Sequence, residues 1–153
     1  MAIALAALVD PKQIVLNLRA RTQAEAMREI VDRLVTAGKI GDELRFLEQL
    51  RAREAVNSTY AAAGVAFPHA RTKLVDEIVL GFGRSAEGIP WTAKGEIVHL
   101  IFLLGVPERL ISDYLVVLGA IARITKDRPL RTLLLHAESV GEFVTTLLSA
   151  PSI

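Results

Sequence analysis

Residues 97–104 read Ile-Val-His-Leu-Ile-Phe-Leu-Leu, an almost unbroken apolar run rich in β-branched and aromatic side chains. A strand with one wet face alternates apolar and polar residues, whereas a strand covered on both faces need not. The run therefore predicts a central strand, and such a strand requires other elements to cover both its faces. It falls far short of the roughly 20 apolar residues that span a bilayer.

The rest of the chain supplies the covers. Residues 14–18 read as a first short strand. Thr22 and Glu25 form a capping-box pair ahead of Met27, Ile30, Val31 and Leu34 at helical spacing, with Gly38 as the stop. Asp42 caps a second helix carrying Leu44, Leu47 and Leu50. Residues 64–67 and 78–82 are further β-rich runs, and the Gly- and Pro-containing stretch 83–90 reads as a turn-rich connection with Trp91 packed beside it. After Pro107, Leu110, Ile111, Tyr114, Leu115, Leu118, Ile121 and Ala122 make a broad apolar stripe. Asp127 with Pro129 opens a short helix, and Ser139 with Glu142 opens a last one. The expected architecture is one α/β domain over residues 1–153, a mixed β-sheet with helices packed on both faces.

Composition narrows function. The net charge is +1 and no basic run alternates with aromatics, so nucleic-acid binding is not expected. With no cysteine, disulfides, thiol chemistry and thiolate-bound zinc are excluded. The apolar opening, residues 1–9, lacks a basic leader and is cut short by Asp10-Pro11, so a signal peptide is not expected and the reading is cytoplasmic. Walker and dinucleotide glycine patterns and the G-x-S-x-G elbow are absent, and no nucleotide or other cofactor is expected. So aliphatic a chain is also expected to hide an exposed apolar face in a homodimer.

Chemistry concentrates at Val65-Ala66-Phe67-Pro68-His69, followed by Arg71 and Lys73. Proline fixes its own φ near about −65° and pushes the preceding residue toward extended geometry. Phe67 is thus expected to end a strand and His69 to sit at its mouth. A neutral imidazole there could attack phosphorus, hold a metal or move a proton. The upstream Arg53, Ser58 and Thr59 offer a guanidinium and two hydroxyls for an anion. His99, inside the apolar run, and His136, at a helix end, read as structural. The three histidines lie far apart in sequence, and no metal site is expected.

Residues 53–59 (Arg-Glu-Ala-Val-Asn-Ser-Thr) followed by 64–69 (Gly-Val-Ala-Phe-Pro-His) resemble the active-site segment of the enzyme IIA domains of the phosphoenolpyruvate-dependent phosphotransferase system. The resemblance is to the fructose/mannitol class and its nitrogen-regulatory subgroup. It extends to residues 10–14, 98–107 and 115–124, nearly the whole chain. It implies a phosphocarrier in which His69 takes a phosphoryl group from the small protein HPr. The group would pass to a IIB partner, or the phosphorylated state would itself be a signal. Arg53, Ser58, Thr59 and backbone amides near His69 would hold the phosphate, and Val65, Phe67 and Trp91 are candidates for an apolar docking rim.

Two departures bear on rate. Tyr60-Ala61-Ala62-Ala63 stands where the family is glycine-rich, and those side chains disfavour positive φ. Tyr114, or Asp113 with one shift, stands where the family has a second histidine. A regulatory role is therefore expected over fast sugar transport. The alternative is a IIA-like module, not phosphorylated, that controls a transporter or kinase by contact alone.

Overall fold

The structure, a computed structural model, describes residues 5–149. The predicted central strand is β6 (Ile97–Pro107). Its long antiparallel partner is β5 (Val79–Pro90), and β5 pairs in turn with a short parallel strand, β1 (Ile14–Val15). On its other edge β6 takes two short strands in parallel, β3 (Val65–Ala66) and then β4 (His69–Thr72), while β2 (Tyr60–Ala61) closes a hairpin onto β3. The sheet is mixed and lies between two helical layers.

One layer is α1 (Gln23–Thr36) and α2 (Glu43–Val56). Met27, Ile30, Val31 and Leu34 of α1 and Phe46, Leu47 and Leu50 of α2 pack there with Ile101 and Leu103 of β6. Gly81 and Gly83 let α1 approach β5 closely: an added Cβ at Gly81 would stand 2.5 Å from Ile30 Cγ2. The other layer is α3 (Ile111–Lys126), α4 (Arg128–His136) and α5 (Val140–Leu148). Val117, Ile121, Leu134, Phe143 and Leu147 meet Leu100, Phe102 and Leu104 there. Phe82 sits between Phe102 and Phe143 with its ring edge-on to both. Alternate β6 side chains thus enter opposite layers, which is why the run reads as continuously apolar.

The helix starts follow the sequence. Thr22, Asp42, Asp127 and Ser139 each accept from the amide three residues on. In both capping boxes the glutamate reaches the amide just before the cap, Glu25 to Arg21 and Glu142 to Glu138.

Four expectations change. The first strand is two residues, not five. Residues 83–90 are strand rather than connection, because β6 offers them ladder partners (Gly83 to Ile101, Arg84 to Leu100, Ile89 to Val98). The turn chemistry there is absorbed in an irregularity between Arg84 and Ile89, where Gly88 takes φ +88° and Ser85 Oγ accepts the Gly88 N–H. His69 opens β4 instead of sitting beyond β3, since the chain crosses Phe67-Pro68 and rejoins the same partner. Finally, Ala63 adopts φ +69° before Gly64 at φ +76°, so an alanine makes a turn reserved for glycine in the sequence reading. Of the apolar opening, residues 1–4 lie outside the described residues, while Leu5, Leu8 and Val9 pack on the second layer.

Candidate active site

His69 is held from both sides of its peptide. The Leu104 N–H donates to the Pro68 carbonyl at 2.9 Å, and His69 pairs with Leu104 in the parallel ladder. Its ring turns back so that Nδ1 lies 2.9 Å from the Phe67 carbonyl. A carbonyl oxygen can only accept, so Nδ1 carries the hydrogen. The lone pair of the neutral ring is therefore on Nε2, the ring atom able to act as a base or nucleophile.

Nε2 faces α3. Tyr114 Oη stands 3.3 Å away, with ring centroids 5.3 Å apart and tilted by 37°. Arg53, in the last turn of α2, donates from Nη1 to the Asn57 carbonyl at 2.8 Å and acts by charge on both rings. Burial lowers the His69 pKa; the Phe67 bond opposes that, Arg53 adds to it and Glu54 counters. Burial raises the Tyr114 pKa, against Arg53. The outcome is a neutral imidazole, a neutral phenol, the Arg53 guanidinium and, engaged by Thr59 and Trp91, the Glu54 carboxylate, a set in which the guanidinium can offset the negative oxygens of a phosphoryl group.

Of the sequence-predicted residues, the fold thus brings His69, Arg53 and Tyr114 together. Thr59 is committed elsewhere: its N–H donates to Glu54 Oε2 at 2.7 Å and its hydroxyl to Glu54 Oε1 at 2.6 Å. Ser58 Oγ accepts the Tyr60 N–H at 3.1 Å, which leaves its own hydrogen to give. Arg71 is exposed. Val65, Phe67 and Trp91 are buried in the core and form no rim; beside Tyr114 in the chain it is Leu115 and Val116 that are exposed, at 58% and 47%. His99 and His136 are structural as read, with Nδ1 on the Ser85 and Thr132 carbonyls. Among the described residues no three of His, Asp and Glu gather as metal ligands would.

Sequence reasoning missed Glu54. Only 7% exposed, its carboxylate takes both Thr59 donors and the Trp91 indole N–H at 3.2 Å. The available signal was its position: an acidic residue in the last turn of a helix opposes the macrodipole and needs another reason to be there.

Residues 7–150 match the family described as the phosphoenolpyruvate-dependent sugar phosphotransferase system, EIIA 2. The chain belongs to this family. This EIIA 2 domain is 34% identical over 119 residues to the PTS system fructose-specific EIIA component of Haloferax volcanii, covering 77% of each chain. It is 31% identical over 133 residues to the PTS system fructose-specific EIIABC component of Bacillus subtilis, covering 86% of this chain and 21% of that one. The chain thus spans about a fifth of that longer relative. Among solved structures, the nitrogen regulatory protein IIA-Ntr of Neisseria meningitidis superposes with a TM-score of 0.86 at 28% identity, covering 94% of this chain and 98% of that one. Among the described residues of this EIIA 2 domain, no helix is long and apolar enough to cross a membrane.

Proposed function

We propose that this EIIA 2 domain is a histidine phosphocarrier that accepts a phosphoryl group on His69 Nε2 from the phosphohistidine of an HPr-type protein. The group then passes to a IIB-type partner or persists as a regulatory signal, and the regulatory use is the one we favour. The observation that carries the reading is the bond between His69 Nδ1 and the Phe67 carbonyl, which leaves the Nε2 lone pair as the ring's nucleophile. In the step, that pair forms the new N–P bond as the donor's N–P bond breaks, and the donor imidazole leaves with its electron pair. The proton stays on Nδ1 and keeps donating to the Phe67 carbonyl, so the charge of the phosphorylated ring faces a fixed dipole. Such transfer asks the protein chiefly for position and for charge to offset the phosphoryl oxygens, and Arg53 supplies the charge. Ser58 has a hydroxyl hydrogen to add, whereas Thr59 serves by holding its segment to Glu54.

The test is to incubate the protein with phosphoenolpyruvate, enzyme I and HPr and weigh it. A gain of one acid-labile phosphoryl group on wild type and none on His69→Ala is the expected result. Equal gain on His69→Ala overturns the reading. A second reading, contact control of a transporter or kinase without phosphorylation, is favoured by Tyr114 covering Nε2. It predicts no mass gain and partner binding indifferent to both His69→Ala and His69→Asp.

A further inference from the structure

We propose that Tyr114 is a catalytic residue with two successive acceptors, His69 Nε2 before phosphorylation and a phosphoryl oxygen after it. This deepens the phosphocarrier reading and rests on it for the natural donor, though not for the chemistry at Nε2. With the Nδ1 hydrogen fixed on the Phe67 carbonyl, a neutral Nε2 has no hydrogen to give. The 3.3 Å contact is therefore a hydrogen bond from the Tyr114 hydroxyl to the Nε2 lone pair. That pair is the one that attacks phosphorus. Acceptance cannot begin until the phenol lets it go, and at 3.3 Å the bond is long for an O–H donor and so releasable.

Once the N–P bond exists, Nε2 has no pair left for the phenol. The three oxygens on the phosphorus now bonded to Nε2 are then the nearest acceptors, and the hydroxyl donates to one of them. One donor thus holds back the ground state and stabilises the product. Acceptance is slowed and the phosphohistidine lasts longer, which suits a protein that stores a state more than one that relays flux.

The phenol also changes the pH response. The charged and titratable groups facing this pair are Arg53 and Glu54 from α2, besides His69 on β4 and Tyr114 on α3. Burial raises the Tyr114 pKa further above a tyrosine's ordinary value of about 10, so the phenol does not titrate near neutrality. A histidine at 114 would add a second titration near about pH 6.5.

The test uses the whole chain with potassium phosphoramidate, a small phosphoryl donor that needs no partner protein, alongside the HPr assay. In the step, Nε2 attacks phosphorus as the P–N bond breaks and ammonia leaves. Phosphohistidine is followed by phosphorus NMR, and its decay after the donor is removed. Relative to wild type, Tyr114→Phe is expected to accept several-fold faster and lose the group several-fold faster, with an unchanged thermal melt. Tyr114→His is expected to add an inflection to the rate–pH profile below neutrality. Equal acceptance rates, or equal lifetimes, in wild type and Tyr114→Phe overturn the proposal, as does equal labelling of His69→Ala. If phosphoramidate labels the protein with this Tyr114 dependence while HPr does not, the donor assignment fails and the role of Tyr114 stands.

Discussion

The indole N–H of Trp91 donates to Glu54 Oε2 at 3.2 Å, so the residue just beyond β5 is bonded to the last turn of α2. The same carboxylate takes the backbone and hydroxyl hydrogens of Thr59, and the Thr59 carbonyl accepts the Phe67 N–H at 3.2 Å. A chain of contacts therefore runs from Trp91 through Glu54 and Thr59 to the peptide that orients His69. Arg53, adjacent to Glu54, is placed by the same helix turn.

Removing that carboxylate, itself only 7% exposed, strands three donors, the buried indole N–H of Trp91 and the part-buried N–H and hydroxyl of Thr59. Glu54→Ala is expected to cost about 2–4 kcal/mol, because unpaired buried donors forfeit their full desolvation penalty. Glu54→Gln is expected to fall between, since an amide keeps one accepting oxygen and turns hydrogens toward the remaining donor. Urea denaturation of both variants measures this; a loss under about 0.5 kcal/mol for Glu54→Ala, the range of an ordinary surface change, would contradict the role given to the network.

The His69 pKa lies below its ordinary value because burial disfavours the imidazolium. Unfolded His69 therefore binds a proton near about pH 6.5 that the folded protein does not yet bind. The stability owed to this difference is complete above about pH 6.5 and is lost as pH falls through the folded value. Urea midpoints between about pH 7 and about pH 5 are expected to drop more steeply for wild type than for His69→Gln. Parallel curves would show that burial does not depress this group.

Ala63 pays for its φ of +69° with a clash that glycine lacks. The left-handed region costs an L-residue roughly 1–2 kcal/mol, and the added chain entropy of a glycine returns roughly half of that. Ala63→Gly is expected to stabilise by about 0.5–1 kcal/mol, read as a higher thermal midpoint. A lower midpoint would mean the turn is not strained.

Arg84, on β5, fastens the C-terminal end of α4 and the segment after β1 to the sheet. Its Nε donates to the Leu16 carbonyl at 3.0 Å, and its Nη1 to those of Leu134 at 3.0 Å and Ala137 at 2.7 Å, the carbonyls that α4 leaves open. Arg84→Ala is expected to cost about 2–4 kcal/mol, and Arg84→Lys only part of that, since one ammonium cannot reach both groups of carbonyls. Hydrogen exchange should show the amides of α4 losing protection first. Unchanged protection in Arg84→Ala would remove this fastening from the account.

Most of the helices and the core were legible in the chain because their causes are local. Thr22, Asp42, Asp127 and Ser139 cap within three residues of themselves, and the apolar spacing of Ile30, Leu34, Ile121 and Leu147 states which face is covered, whereas Leu44 and Leu115, read onto the same stripes, are exposed and Phe46 takes the buried place in α2. The strand at 83–90 was not legible. Its glycines and proline carry the local signal of a turn, and only the ladder to residues 97–101 of β6 outweighs it. At the site, His69 and Arg53 stood out by type and setting. Glu54 did not, because its three partners come from residues 59 and 91.

The sequence by itself determined that one apolar strand must be covered on both faces, where the helices start, and that an imidazole follows a rigid proline. Tertiary structure decided which nitrogen of that imidazole keeps its lone pair and what stands before it. The Phe67 carbonyl sets the tautomer, and Tyr114, 45 positions along the chain, reaches Nε2 only because α3 folds back over the sheet. Both are hydrogen bonds fixed by strand register and helix packing, and no local propensity encodes them.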